Sequence, residues 1–237
     1  MTIKICDAQQ VNQNPYLNSW FTLLSQAKMD TYWSASLEIH ERPGKFLSDQ
    51  GQFLIRPSLD YHLYPNAIFS LGYTFINVQP FSPINQPIAF SENNVWEQVL
   101  LKYNVNDVKF QNRFRLEQRW TEKIVEENNN IAIVGTEFKN RFRYRFNITF
   151  NLIKIGHYDL FFQGFNEIWL NLNNQLLPIS LSRNWLYTGI GIKLNDSTNV
   201  QIGYLNQLDR RDLDNLKTDI FQLTVVKKFN FKTKEHD

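Results

Sequence analysis

The sequence predicts an all-β chain, an integral outer-membrane antiparallel β-barrel of about 10–12 strands, with short turns at one rim and longer loops at the other. Three observations lead there. The first is a strict alternation in two neighbouring runs. In residues 108–120, Phe110, Phe114, Leu116 and Trp120 share one parity, and Gln111, Arg113, Arg115, Glu117 and Arg119 share the other. In residues 138–150, Phe138, Phe142, Tyr144, Phe146, Ile148 and Phe150 oppose Lys139, Arg141, Arg143, Arg145, Asn147 and Thr149. Successive strand side chains point to opposite faces, so each run is a strand with one apolar and one cationic face. The second observation is that connections alternate in length. Long ones follow Arg42, Val78, Thr121, Asn173 and Asp209, and short ones sit near Pro65, Asn106, residues 151–157 and Asp196. The third is that no segment has helical period and no linker divides the chain.

The strands follow one another in order. Residues 17–27 are strand-like but apolar on both parities, so they fit either an extra wall strand or an inward plug. An extra strand would bring the wall to eleven, or to twelve with a partner from the residues before it. Residues 32–42 set Trp33, Ala35, Leu37 and Ile39 against Ser34, Ser36, Glu38, His40 and Arg42, and Pro43-Gly44 ends the run. Residues 52–63 alternate Phe53, Ile55, Leu59 and Tyr61 with Gln52, Arg56, Asp60 and His62. After a turn at 64–67, Phe69, Leu71, Tyr73 and Phe75 oppose Ser70, Gly72 and Thr74. A loop punctuated by Pro80, Pro83 and Pro87 leads to a strand at 95–105. Then come the two arginine strands, with a polar loop at 122–130 between them. Strands at 158–172, 183–194, 199–209 and 218–231 complete the series, with a loop at 173–182, a tight turn at 195–197 and a charged loop at 209–217. Each strand runs about 10–15 residues, where a tilted membrane strand needs about 9–11.

The fold turns on which face is inside. In a soluble sandwich the aromatic face is core and the arginines meet water. In a membrane barrel the aromatic face meets lipid and the arginines line the lumen. An Arg or Lys facing lipid at the bilayer midplane costs roughly 2–4 kcal/mol, and the aromatic parity of both arginine strands carries no charge at mid-strand. Glu97 and Lys227 are the two uncomfortable charges on that parity. The systematic alternation of turns and loops also favours the barrel.

Composition narrows the function classes. Net charge is +2 over 237 residues, so no global basic field points to nucleic acid. One cysteine, Cys6, excludes an internal disulfide. No run approaches the ~20 apolar residues of a transmembrane helix. Residues 1–16 read as an N-terminal segment, a remnant of an export signal, 17–231 as a single barrel domain, and 232–237 as a C-terminal tail.

The lumenal parity collects Glu38, Arg56, Asp60, Arg113, Arg115, Glu117, Arg119, Arg141, Arg143, Arg145, Glu167 and Arg183. Charges leaving bulk water need partners, and arginine's fixed fork suits bridging several carboxylates across strands. The default expectation is an internal salt-bridge network that fills the barrel. Because basic residues outnumber acidic ones, the lumen is also expected to be net positive and to suit a small anionic solute. A lipid or lipopolysaccharide-modifying hydrolase is the enzyme alternative, using Ser34 or Ser36 with His40. Against it, these side chains have lumenal parity, while acyl chains meet the outer wall. A soluble barrel binding an apolar ligand is the third class. His157 and His236 have no partners at metal-ligand spacing, so no metal and no cofactor is expected.

A series of positions in one order resembles a known family. It comprises Trp20, Leu37-Glu38 with Arg42, Arg56 and Tyr61, Leu71-Gly72-Tyr73, the R-x-R-x-E-x-R run 113–119, the R-x-R-x-R run 141–145, Asn166-Glu167, Asn184 and Ile202-Gly203-Tyr204. Together these resemble the bacterial outer-membrane β-barrel family catalogued as domain of unknown function 2490. The resemblance implies a Gram-negative outer membrane, with its lipid and lipopolysaccharide as surroundings, and no activity. The chain departs from it in Asn93-Asn94 after Glu92 and in lacking an obvious export signal. The expected function is therefore a non-enzymatic, porin-like envelope protein: a structural barrel, or a narrow conduit or binding site for small anionic solutes.

Overall fold

A computed structural model of the chain describes residues 11–80, 87–127, 130–211 and 214–231. Cys6, Pro83, His236, most of the N-terminal segment and the tail at 232–237 lie outside those residues. The described residues form β1 (Val11–Gln13), β2 (Asn18–Lys28), β3 (Trp33–Gly44), β4 (Asp49–Tyr64), β5 (Ala67–Val78) and β6 (Phe90–Val105). They continue as β7 (Val108–Glu127), β8 (Asn130–Ile155), β9 (Tyr158–Leu172), β10 (Pro178–Asn195), β11 (Thr198–Arg210) and β12 (Asn215–Asn230). Neighbours in sequence are neighbours in the sheet from β2 to β12, and β12 pairs back onto β2. The wall is a closed all-β barrel of eleven strands, with β1 a short addition beside β12.

The closure corrects the antiparallel-only expectation. β2 runs parallel to β12, with Asn18 opposite Ile220 and Lys28 opposite Asn230. In a meander the strands alternate in direction, so the first and last of an odd number point the same way and must close in parallel. Residues 17–27 are thus an eleventh wall strand and not a plug. β1 also pairs parallel with β12, at Asn215–Lys217. It therefore continues the β2 edge after a short interruption.

The alternation of connections holds. Two-residue turns at 65–66, 106–107, 156–157 and 196–197 share one rim with the end of β12. The longer connections at 79–89 and 173–177 lie at the other. Two of the expected loops shrink. β10 already starts at Pro178, and the polar stretch at 122–130 is mostly strand. β6 stops pairing with β7 at Thr121 and β9 with β8 at Asn140, yet β7 and β8 stay paired out to Glu127 and Asn130. A two-stranded ribbon therefore projects past the loop rim. The polar composition there marks exposure on both faces of the ribbon and not the absence of strand.

Large rings inside the barrel need glycine beside them. Gly72 lies opposite Trp96 in register, and a Cβ at Gly72 would stand 2.1 Å from the indole. Trp96 has little room to move: it is 2% exposed, its Nε1–H donates to Thr74 Oγ1 at 3.0 Å, and Arg115 lies 3.9 Å over its ring. Tyr187 is seated likewise over Gly189 and Gly203. Overpacking of this kind costs about 1–3 kcal/mol. Gly72→Ala should lower the urea midpoint of the folded barrel accordingly, and Gly72→Ala with Trp96→Phe should recover part of the loss.

Candidate functional site

The charged faces of β7, β8 and β9 meet inside the barrel. Register places Arg113 opposite Arg145 and Arg115 opposite Arg143, like charges that repel when directly opposed. Two glutamates offset them. Glu117 lies opposite Arg141 on the neighbouring strand, and Glu167 lies opposite Arg145. Glu167 is fully buried and accepts from Arg113 Nη2 at 2.6 Å, Arg143 Nε at 2.7 Å and Arg145 Nε at 2.7 Å. Glu117, 1% exposed, accepts from Arg141 Nε at 2.5 Å and Arg143 Nη1 at 2.8 Å. Arg143 thus bridges the two glutamates. The fork geometry of guanidinium allows this, where a lysine would supply only a point charge.

Further pairs extend the network. Arg56 Nη1 donates to Glu38 at 2.7 Å, and Arg119 grips Glu92 through Nε at 2.8 Å and Nη2 at 2.5 Å. Arg183 pairs with Asp209. Asp60 departs from expectation: it accepts from Ser36 Oγ at 2.6 Å and Ser58 Oγ at 3.3 Å, and no arginine among the described residues pairs with it. Lys139, also of lumenal parity, lies half-exposed outside, paired with Glu137 at 2.8 Å.

Aromatic rings share the lumen with these charges. Trp20, Phe165, Trp169, Trp185, Tyr187, Leu205 and Ile220 form a buried cluster inside the barrel. Trp169 is flanked by three guanidinium groups, those of Arg143 at 3.8 Å, Arg141 at 4.4 Å and Arg183 at 4.9 Å. Arg42 lies 4.0 Å over Trp20, and Arg145 lies 4.0 Å over Phe165. A desolvated cation over an aromatic face is stabilised by about 2 kcal/mol or more. The rings therefore hold part of the cationic charge that the carboxylates do not neutralise.

The filled middle divides the lumen in two. A cavity of about 460 Å³ opens on the loop side, and one of about 170 Å³ lies toward the turn side. Trp20, Arg42, Arg56, Arg143 and Trp185 line both and form the septum between them. Arg210 and Arg211 line the loop-side cavity, and among the described residues the ion network around it and the septum sets nine guanidinium groups (Arg42, Arg56, Arg113, Arg115, Arg119, Arg141, Arg143, Arg145 and Arg183) against five carboxylates (Glu38, Glu92, Glu117, Glu167 and Asp209). The excess is four positive charges.

All twelve residues singled out from sequence line or adjoin this lumen. Arg42, Glu92, Asp209 and the three tryptophans were not among them. Neither Ser34 nor Ser36 pairs with His40. His40 has both ring nitrogens engaged, Nδ1 with Thr22 at 3.0 Å and Nε2 with Glu38 at 3.0 Å. Ser34 instead meets His62 at 2.7 Å, and Ser36 meets Asp60. Among the described residues, no three His, Cys, Asp or Glu side chains converge as a metal would need.

Comparison with known families finds one match, over residues 17–217, to a family described as protein of unknown function (DUF2490). No curated protein and no solved structure matches the chain.

Proposed function

We propose that this chain, which belongs to the DUF2490 family of proteins of unknown function, is a non-enzymatic barrel of the bacterial outer membrane whose cationic lumen binds small anions. The observation that carries this reading is the inverted distribution of side chains. Every wall strand turns at least one large apolar side chain outward. Examples are Leu23 (41% exposed), Phe69 (51%), Leu71 (55%), Leu186 (57%) and Ile202 (45%). Meanwhile Arg143, Glu117 and Glu167 are buried within. Soluble monomers rarely expose apolar patches beyond a few hundred Å². Lipid and lipopolysaccharide would cover such a belt, and a closed barrel leaves no unpaired backbone edge in hydrocarbon.

Glu97 and Lys227, both on the outward parity, fit unequally. Lys227 reaches the turn rim, where Nζ donates to Ser197 Oγ at 3.0 Å and Thr198 Oγ1 at 2.9 Å. A snorkelling lysine is at home there. Glu97 sits at mid-strand and, among the described residues, accepts only from Gln118 Nε2, at 3.3 Å. With lipid outside, Glu97→Leu should therefore stabilise the folded barrel by about 1 kcal/mol in vesicles. An unchanged urea midpoint would count against lipid contact at that position.

Membrane fractionation with gel mobility before and after boiling tests the main reading. Recovery with the membranes and a faster-migrating unboiled band are expected. Soluble recovery without a mobility shift would overturn it.

A further inference from the structure

The loop-side cavity has two unlike walls. Arg141, Arg143 and Arg183 stand on one side, and on the other Leu54, Ile76, Val78 and Phe90 form an apolar patch beside Gln52 and the Arg119–Glu92 pair. Leu54 and Val78 are 1% and 3% exposed, so this apolar wall is part of the built interior and not a fluid rim.

Among the described residues, three buried polar atoms belonging to residues of the lining have no hydrogen-bond partner: Arg42 Nε, Trp169 Nε1 and Thr218 Oγ1. Their residues are 7%, 5% and 1% exposed. Arg42 differs from Arg56, Arg119, Arg141, Arg143 and Arg183 of the same lining in its contacts. It stacks on Trp20, donates through Nη1 to Gln52 Oε1 over a long 3.5 Å, and no carboxylate pairs with it among the described residues. A buried polar group without a partner is costly, and a buried charge more so. A buried guanidinium without a carboxylate and a surplus of positive charge on one cavity call for an acceptor that is anionic. The apolar wall calls for a body that is not.

From this we infer that the cavity of about 460 Å³ is the binding site for a small organic anion, a phosphate or carboxylate on an aromatic or aliphatic body. The acid group lies on the Arg42 guanidinium, and the body lies along Leu54, Val78 and Phe90. The volume suits it, since small-molecule sites span about 300–1,000 Å³. The inference rests on the anion-binding reading of the lumen and narrows it to one chamber and one ligand class.

The test uses the full chain folded in detergent, its fold checked by heat-modifiable mobility. Binding of 1-naphthyl phosphate, inorganic phosphate and 1-naphthol is measured by calorimetry against protein-free micelles. Naphthyl phosphate should bind at least about tenfold more tightly than either of the others, because it alone engages both walls. Arg42→Gln should weaken it by about tenfold or more. Val78→Asn should weaken naphthyl phosphate while leaving inorganic phosphate unchanged. If Arg42→Gln does not fold, Arg210→Gln at the cavity mouth replaces it and should weaken binding by a smaller factor. Equal affinity for naphthyl and inorganic phosphate would overturn the organic-anion assignment and leave the anion-binding lumen standing. No binding of either phosphate by a heat-modifiable barrel would overturn both. A naphthyl phosphate affinity indifferent to Arg42 and Arg210 would remove the ligand from this chamber.

Discussion

Replacing Glu167 with glutamine should cost the barrel about 3–5 kcal/mol, the penalty for removing one partner of a buried ion pair. The change is nearly isosteric, but it removes the charge and turns one acceptor oxygen into an NH2 donor that faces guanidinium donors. Three guanidinium groups, those of Arg113, Arg143 and Arg145, converge on this carboxylate from two neighbouring strands. Without it Arg143 keeps Glu117, while Arg113 and Arg145 lose the only carboxylate they contact among the described residues. The urea midpoint of protein folded into vesicles reports the loss. A double-mutant cycle separates charge from packing. Adding Arg145→Met to Glu167→Gln should restore part of the stability, with a coupling of about 1–3 kcal/mol. If Glu167→Gln unfolds at the wild-type midpoint, water solvates the arginines and the lumen is wet through its middle.

The ion network was legible because it is written in the period of a strand. Arg113 to Arg119 and Arg141 to Arg145 put their charges on one parity, and any antiparallel pairing of two such strands stacks guanidinium on guanidinium. Glutamates on the same faces then had to be the partners, as Glu117 and Glu167 are. Glu92 and Asp209 were harder to see. Each sits near a strand end and finds its arginine through register across a hairpin, which alternation does not specify.

The tryptophans were missed for a different reason. Alternation on the arginine strands assigns aromatics to the outside, and β9 breaks that rule. Phe161, Phe165 and Trp169 share a face with Gln163 and Glu167, and all of them turn inward. The mixed parity was visible in the sequence. Its meaning, a lumen packed by rings that carry cations, depends on β2 and β10 bringing Trp20 and Trp185 to the same level. The parallel seam was hidden in the same way. It joins residues about 200 positions apart, and only the odd count of strands announces it.

Placing an arginine on the outer wall should separate lipid from water as the barrel's surroundings. Ile190 suits the purpose. It is 49% exposed, lies well inside β10, and pairs with Phe162 on one side and Ile202 on the other, so no neighbouring carboxylate on those strands would rescue a charge. With acyl chains outside, Ile190→Arg should destabilise the folded barrel by about 2–4 kcal/mol, read as a shift of the urea midpoint in vesicles. Ile190→Leu should be nearly silent and controls for shape. With water outside, a half-exposed isoleucine exchanged for arginine changes stability by no more than about 0.5 kcal/mol. The two environments thus differ by a factor of four or more in the expected effect. Because position 190 touches neither the septum nor the loop-side cavity, the result bears on the outer wall alone. A silent Ile190→Arg beside a damaging Glu167→Gln would describe a water-soluble barrel that buries its charges.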